Sequence, residues 1–307
     1  MNTERINKIL GPVIPLPLPF NEDETVAYDA LHSYVDFLVN NGIKNVMTTV
    51  GTSRFNLLTF DEIKKVNETV VKAANGRAKT IVANPAQGGT IHAIEFAKHA
   101  QEIGADFFLV CFPERDYGDE HTLPFFQRLH DATCIDILIH EMPRRNGLGP
   151  GSKQYGVELL EKLFAMERIV GLKEEALDAE YSNMLVERFS KEAIIIGAGG
   201  GMSRYLYRDF ERGSKAFLGG LGNFKPSIEI EFYDAITSGN RDRAAVIVED
   251  IELKYFEQVV PIGWHPHLKA ALAIKGLMPN WERSPMKNLS SEEVSTIAKA
   301  FKANNWL

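Results

Sequence analysis

Residues 169–175 have the sequence Ile-Val-Gly-Leu-Lys-Glu-Glu, in which four apolar or small residues precede Lys173 and two glutamates. Such a run is typical of a strand that is buried on both faces of a parallel sheet. A lysine at the carboxyl end of that strand is partly removed from water. Desolvation disfavours the ammonium form, so the amine becomes available as a nucleophile that forms a Schiff base with a carbonyl compound. The alternative is a lysine that extends to solvent beside a glutamate.

Similar apolar runs alternate with helical patterns along the first two thirds of the chain. They predict strands at 13–14, 45–49, 79–83, 106–111, 136–140, 169–172, 193–196 and 216–218, with helices between them that include 122–131 and 203–212. The strand starts recur about every 30 residues, the length of one strand–helix unit. The sequence therefore predicts an α/β fold, a closed (β/α)8 TIM barrel, with an open doubly wound sheet as the alternative.

The last third of the chain carries helical patterns only. After Pro226 they lie at 228–237, 241–256 and 268–276, and a further helix begins at a capping box, Ser290 to Glu293. A second capping box, Thr59 to Glu62, opens an earlier helix; in both, a hydroxyl and a carboxylate three residues later accept amide hydrogens of the first turn. We expect a barrel in residues 1–225 and a carboxyl-terminal helical region in residues 226–307.

Composition narrows the class of protein. The 307 residues are 45% apolar and 24% charged, as in ordinary globular proteins. A net charge of -7 without a basic cluster argues against nucleic-acid binding. Two cysteines, Cys111 and Cys134, are too few for a disulfide framework, so we expect a cytoplasmic protein in which both are small buried hydrophobes. We expect neither a signal peptide nor a membrane span.

The chemistry of a barrel enzyme lies in the loops after the strand carboxyl ends. After the second strand, Gly51, Thr52, Ser53 and Arg54 offer amides, hydroxyls and a guanidinium that can hold a carboxylate. After the fifth strand, residues 140–147 place an imidazole, a carboxylate and two guanidiniums in one short segment. An ordinary turn and a solvated rim loop are the alternatives for these two segments.

Glycine-rich loops follow the seventh and eighth strands, at residues 197–201 and 219–222. Many barrels bind phosphate at this place, although glycines also simply let a substrate approach the backbone. His265-Pro266-His267 has no cysteine or third histidine nearby, so we expect no metal site there. We expect no cofactor either.

The order and spacing of these motifs resemble the dihydrodipicolinate synthase and N-acetylneuraminate lyase family, from about residue 8 to residue 300. The matching positions are Gly51 to Asp61 with Leu58-Thr59, Pro143 with Arg145 and Gly147, Gly171 to Glu174, Gly197, and Gly222-Asn223. The resemblance implies an eight-stranded barrel with a carboxyl-terminal helical domain, usually a tetramer. It places Lys173 at the lysine that forms a Schiff base with pyruvate or another 2-oxo acid.

The chain departs from the family pattern at three places. The Gly-Thr-Thr-Gly-Glu loop is Val-Gly-Thr-Ser-Arg at residues 50–54. The tyrosine that relays protons in the family falls on His140. A second tyrosine, which crosses a subunit interface in the synthases, falls near Pro113-Glu114, with Tyr117 close by.

These matches and departures assign roles to the candidate residues. We expect Lys173 to form the imine, His140 to replace the phenol as acid and base, and Thr52 to orient the relay. Glu141 is the next candidate for the acid–base role.

The substrate-binding set is predicted to be Gly51, Ser53, Arg54, Arg145, Gly197 and Leu218. The two arginines favour a small-molecule substrate with more negative charge than pyruvate, such as a sugar acid or a dicarboxylic 2-oxo acid.

Several alternatives to an aldolase stay open at this point. One is a Schiff-base dehydratase of a 2-keto-3-deoxy sugar acid. Another is a barrel that acts on a phosphorylated sugar through the glycine loops, and a third is a non-catalytic relative that binds a 2-oxo acid. In each case we expect a homotetramer or homodimer, with the apolar Phe107-Phe108 strand leading to the interface loop.

Overall fold

The computed structural model describes residues 3–85, 88–111, 118–142, 154–259 and 261–306. Eight parallel strands close into a barrel in sequence order, with helices between them. The strands are β1 (Gly11–Pro15), β2 (Asn45–Thr48), β3 (Lys79–Ala83), β4 (Phe107–Val110), β5 (Asp136–Glu141), β6 (Ile169–Glu174), β7 (Ile194–Gly197) and β8 (Ala216–Leu218). The predicted closed barrel is confirmed and the open sheet is wrong.

Helices follow the strands in the expected alternation. Those of the described residues are α1 (Thr3–Ile6), α2 (Tyr28–Asn40), α3 (Phe60–Ala74), α4 (Thr90–Glu102), α5 (Asp119–Ala132), α6 (Val157–Phe164), α7 (Ala179–Phe189), α8 (Gly201–Arg204), α9 (Pro226–Thr237), α10 (Arg241–Ile247), α11 (Leu253–Val259), α12 (Trp264–Ile274) and α13 (Ser291–Ala303). Both predicted capping boxes are present, at the start of α3 and of α13. None of these helices has the length and apolar composition that crossing a membrane requires.

Two predicted helices are interrupted by wider turns. The helix expected at 203–212 consists of α8 and a π-helical turn, Tyr205–Asp209. The helix expected at 241–256 is divided by a second π-helical turn, Val248–Glu252, between α10 and α11. Each π turn carries a buried carboxylic acid, Asp209 and Glu252 respectively. The apolar period of a sequence does not distinguish a single wide turn from a regular one, so these breaks were not predicted.

The chain groups into two compact units, residues 1–13 with 79–218 and residues 14–78 with 219–307. The second unit contains an aromatic cluster in which the rings of Phe224, Tyr255, Phe301 and Trp306 lie with centroids 5.1–6.1 Å apart. The division between barrel and helical region at residues 225 and 226 stays a prediction.

In the first unit, β4, β5, β6 and β7 are buried along almost their whole length, as expected for parallel strands covered on both faces. Phe107 and Phe108 belong to this core and are 2% and 0% exposed. The loop to which this strand leads, residues 112–117, lies outside the described residues, so its place at a subunit interface stays a prediction.

Candidate active site

Strand pairing between β5 and β6 places Lys173 directly opposite His140. The register is regular except at one irregularity: Ile137 pairs with Ile169, whereas Leu138 pairs with Gly171. Since side chains alternate between the two faces of a strand, this shift of one residue decides which β6 side chains share a face with His140. Without it, His140 would lie opposite Leu172.

The backbone around Lys173 is tightly packed. A Cβ added to Gly171, two residues earlier on the same face, would lie 2.3 Å from the carbonyl oxygen of Ile194 on β7. Glycine therefore lets β6 and β7 approach each other just before the lysine. Lys173 itself is 3% exposed and His140 is 5% exposed.

Three polar side chains meet at the end of β6. Lys173 Nζ lies 2.7 Å from His140 Nε2 and donates to Glu175 Oε2 at 2.6 Å. His140 Nε2 lies 3.2 Å from the same carboxylate oxygen. An amine in contact with two proton acceptors can give up a proton and receive it again without leaving its position.

Glu175 is a site residue to which the sequence analysis assigned no role. It lies two positions after Lys173, and its backbone N–H donates to the carbonyl oxygen of Glu141 at 3.0 Å, which continues the pairing of β5 with β6 by one residue. The alternation of side chains along a strand was the signal that could have identified it, because residues i and i+2 share a face.

Cys111 extends this group from the end of β4. Its Sγ lies 3.3 Å from His140 Nδ1, so both ring nitrogens of the imidazole have a partner. Cys111 is partly exposed and Cys134 is exposed. The expectation that both cysteines are small buried hydrophobes is therefore wrong. Cysteines are usually buried, but Cys111 lies just past a barrel strand, where side chains face the open end of the barrel.

The next cross-strand pair, Glu141 and Glu174, faces the opposite side of the sheet, toward the helices. Glu141 Oε1 accepts hydrogen bonds from the Tyr181 hydroxyl (2.6 Å) and from the backbone N–H of Tyr155 (2.9 Å). Burial raises the pKa of the Glu141 carboxyl to about 8, and the hydrogen bond from Tyr181 opposes this rise. Glu141 thus lies away from Lys173, and Glu175 is the carboxylate that contacts the lysine.

A buried charge network underlies this end of β6. Glu174 accepts hydrogen bonds from the Ser182 hydroxyl (2.8 Å) and from Arg204, which also donates to Asp209 Oδ2 (Nε, 2.8 Å). A Cβ at Gly197, at the end of β7, would lie 2.2 Å from that Asp209 oxygen. The network therefore requires glycine at this predicted substrate-binding position.

The predicted carboxylate loop lies in the second unit. Gly51–Ser53 form a 3-10 turn, and the Ser53 hydroxyl donates to the carbonyl oxygen of Leu16 at 2.6 Å. Arg54 has a φ of +56°, which is uncommon outside glycine, and its guanidinium pairs with Glu282 (Nη2 to Oε1, 2.9 Å). Thr52 lines a small cleft together with this pair. The charge of Arg54 is thus offset within its own unit.

The glycine loop after β8 surrounds an internal carboxylate. The backbone N–H of Gly220 donates to Glu229 Oε1 at 2.6 Å, and Glu229 is fully buried. Burial raises the pKa of this carboxyl, while the amides of the loop oppose the rise. The Glu229 carboxylate thus accepts the loop amide that a bound phosphate would use. Nothing in this loop therefore favours a phosphorylated sugar as the substrate.

Two further predicted substrate-binding residues complete the set. Leu218 is the last residue of β8 and is partly exposed. Arg145 lies outside the described residues, as do Pro143, Gly147, Pro113-Glu114 and Tyr117. The structure thus brings together Lys173 and His140 in the first unit and describes Gly51 to Arg54 as one loop of the second.

Comparison with known proteins gives matches along almost the whole chain. The model of the dihydrodipicolinate synthetase family matches residues 8–304. The 4-hydroxy-tetrahydrodipicolinate synthase of Methanosphaera stadtmanae is 25% identical over 299 residues, which are 96% of this chain and 98% of that protein. The synthase of the same name from Aquifex aeolicus is 27% identical over 300 residues, 96% and 97% of the two chains.

Solved structures agree with these matches. Dihydrodipicolinate synthase from Aquifex aeolicus superposes with a TM-score of 0.85 at 26% identity, covering 97% of this chain and 99% of that one. N-acetylneuraminate lyase from Mycoplasma synoviae superposes with a TM-score of 0.84 at 20% identity, covering 97% and 98%. At 20% identity, the match to N-acetylneuraminate lyase shows a shared fold only.

Proposed function

The chain belongs to the dihydrodipicolinate synthetase family and is an aldolase-type lyase; from this premise we propose that it acts on a 2-oxo acid through a Schiff base on Lys173. The observation that carries the proposal is the group of Lys173, His140 and Glu175. Here the amine of a lysine that is 3% exposed contacts an imidazole and a carboxylate at 2.6–2.7 Å.

The proposed reaction begins when the neutral amine attacks the ketone carbon, forming the N–C bond as the C=O π bond breaks. The resulting carbinolamine loses its hydroxyl as water after that oxygen takes up a proton, and the nitrogen loses one proton. His140 and Glu175 both lie within hydrogen-bond distance of Nζ and are the groups that exchange these protons. The positive iminium then remains beside the Glu175 carboxylate, which stabilises it.

The iminium serves as an electron sink for the next step. As the hydroxyl on the departing carbon loses its proton to a base, for which His140 is the proposed group, the iminium accepts the electron pair of the breaking carbon–carbon bond. This gives an enamine and a carbonyl product; protonation of the enamine carbon and hydrolysis of the iminium by water then release the second product and the free amine. We assign pyruvate, or a 2-oxo acid derived from a sugar acid, as the substrate class. The support is the relatives named as 4-hydroxy-tetrahydrodipicolinate synthase and the N-acetylneuraminate lyase fold.

Borohydride reduction tests the Schiff base. With pyruvate present, we expect the wild-type chain to gain one reduced three-carbon adduct, and peptide mass analysis should place it on Lys173. The matched control is Lys173→Met, which keeps the length of the side chain without the amine and should gain no adduct. Absence of an adduct on Lys173 across a panel of monocarboxylic, dicarboxylic and sugar-derived 2-oxo acids would reject the proposal. An adduct without any turnover would instead indicate a non-catalytic 2-oxo-acid-binding protein.

We further propose that the chain forms a homodimer or homotetramer, as its family resemblance implies. Large apolar side chains of the first unit that lie at its surface, Ile91, Leu177 and Tyr207, are more than half exposed in the single chain. Light scattering at micromolar concentration should give at least twice the chain mass of 34.4 kDa. A mass equal to that of one chain would contradict the proposal.

A further inference from the structure

Cys111 directly follows β4 and stands in one row with His140 and Lys173. Val110, the last residue of β4, pairs with Ile139 on β5, so the next residue of the chain, Cys111, comes beside His140. His140 in turn pairs with Lys173 on β6. Because cross-strand partners point to the same face of a sheet, the three side chains lie side by side at one end of the strands. All three belong to the first unit.

The contacts of this row lie on both sides of the imidazole ring. Cys111 Sγ lies 3.3 Å from His140 Nδ1, and Lys173 Nζ lies 2.7 Å from His140 Nε2. A neutral imidazole carries one proton, and the groups beside its two nitrogens determine which of them carries it. The tautomer of His140 therefore depends on Cys111 as well as on Lys173.

The exchange of a proton between Lys173 and His140 requires one particular tautomer. A protonated amine only donates hydrogen bonds, so the Nε2 atom beside it must accept, and the ring proton then lies on Nδ1. After a proton passes from Nζ to Nε2, the imidazolium carries a proton on both nitrogens. In both states the Nδ1–H group donates toward Cys111 Sγ. The other tautomer would place an Nε2–H donor against the ammonium group and could not take its proton.

We propose that Cys111 is a positioning residue, whose sulfur accepts the Nδ1–H hydrogen bond and thereby keeps the lone pair of His140 Nε2 directed at Lys173. Sulfur is a weak acceptor, but the contact needs only to favour one tautomer over the other. The thiol proton of Cys111 takes no part in this role. The inference rests on the proposed Schiff-base function, because it describes how the imidazole receives the proton that the amine loses before it attacks a ketone.

Nitrogen NMR of the substrate-free chain tests the tautomer directly. The chemical shift of a protonated ring nitrogen differs from that of an unprotonated one, and His140→Ala identifies the signals of His140 among those of the eight histidines. At about pH 8.5, where an ordinary imidazole is neutral, we expect the wild-type ring to carry its proton on Nδ1. Cys111→Ala should shift the proton toward Nε2. Cys111→Ser, whose hydroxyl oxygen also accepts a hydrogen bond, should return part of it to Nδ1.

Deuterium exchange into pyruvate measures the consequence for the chemistry. In heavy water the iminium of pyruvate loses a methyl proton to a base, the enamine takes up a deuteron at the same carbon, and hydrolysis returns labelled pyruvate and the free amine. We expect Cys111→Ala to slow this exchange roughly tenfold at saturating pyruvate, since partners that orient a functional histidine have effects of this size. The pyruvate concentration at half-maximal rate should change by less than about threefold, because no substrate contact is removed.

The other cysteine provides the matched control. Cys134 is exposed, and its backbone N–H, which a substitution leaves in place, donates to Gln101 Oε1 at 2.7 Å. Cys134→Ala should change neither the tautomer of His140 nor the exchange rate. Cys111→Ser should recover part of the exchange rate that Cys111→Ala loses, and Lys173→Met gives the rate of exchange without an imine.

An Nε2–H tautomer in the wild-type chain would overturn the inference. A Cys111→Ala variant that keeps the Nδ1–H tautomer would also overturn it, since slow exchange would then reflect packing alone. A shifted tautomer with an unchanged exchange rate would do the same. Failure of the Schiff-base proposal has a different signature. In that case wild-type exchange is no faster than that of Lys173→Met, while NMR of the substrate-free chain still shows whether Cys111 sets the tautomer of His140.

Discussion

Replacing His140 by alanine is expected to lower turnover of a 2-oxo acid substrate by about two to four orders of magnitude, the usual range for a general acid–base group. His140 Nε2 is 2.7 Å from the Lys173 amine, and Nδ1 is held by Cys111 at 3.3 Å. The imidazole is thus both oriented and in contact with the nitrogen that we propose as the nucleophile. Alanine removes the proton carrier and leaves Glu175 as the one remaining acceptor among the described contacts of Nζ.

Steady-state kinetics and borohydride trapping together locate the defect. If His140 acts in proton transfer, kcat falls and its pH profile changes shape, while the adduct on Lys173 still forms with prolonged incubation. His140→Tyr, which introduces the phenol that the family resemblance implies at this position, should restore part of the rate. The matched control is His32→Ala, a partly exposed histidine of the second unit, which should leave kcat unchanged. Turnover of His140→Ala within threefold of wild type would remove His140 from the mechanism.

Replacing Arg204 by methionine should lower the free energy of unfolding by about 3–5 kcal/mol, the cost of leaving buried charges without their partner. Arg204 donates to both Glu174 and Asp209, and all three side chains are buried. Asp209 Oδ1 already has no hydrogen-bond partner among the described residues. Methionine fills much of the volume of arginine, so the loss reports on charge more than on packing.

Urea unfolding with comparison of midpoints and slopes measures this effect. The control is Arg188→Met, which breaks an exposed pair with Glu161 and should change the midpoint little. A loss below about 1 kcal/mol for Arg204→Met would contradict the assignment of a buried charge network.

The pH dependence of the Arg204→Met deficit has a definite sign. In the wild-type chain burial raises the pKa of Asp209, and Arg204 opposes that rise. Without the guanidinium the pKa of the folded carboxyl rises further above its unfolded value, so the folded state takes up more protons as the pH falls. The deficit should therefore be smaller at pH 5 than at pH 8. A deficit that grows on acidification would show that the buried carboxyls are not the cause.

Much of the architecture was predicted from local patterns. The bounds of β3 and β8 agree with the prediction to the residue, and both capping boxes form as expected. These features depend on a few neighbouring residues: a continuous apolar run for a covered strand, and a hydroxyl three residues before a carboxylate for a helix start. The π-helical turns were missed because the apolar period does not distinguish a wide turn from a regular one; in the first of them, Asp209 accepts a hydrogen bond from Arg204, a contact that the sequence pattern does not reveal.

The sequence by itself determined the parallel barrel and the position of Lys173 at the end of its sixth strand, because burial on both faces selects apolar residues along the strand. Only the tertiary structure decided which groups surround that lysine. One irregularity in the β5–β6 pairing sets His140 opposite Lys173 and turns Glu141 and Glu174 toward the helices.

The same distinction between local sequence and tertiary contacts applies to the pairing of charged residues. Arg54 and Glu282 are 228 positions apart, and their pairing offsets the charge of a guanidinium that the sequence predicted to bind the substrate. Composition and motifs show which charged residues a chain contains. Whether such a residue is available to a ligand depends on whether the fold places an oppositely charged side chain beside it. For this reason the sequence pointed to Lys173 as the proposed nucleophile, whereas the contact of Glu175 with its amine was found only in the folded protein.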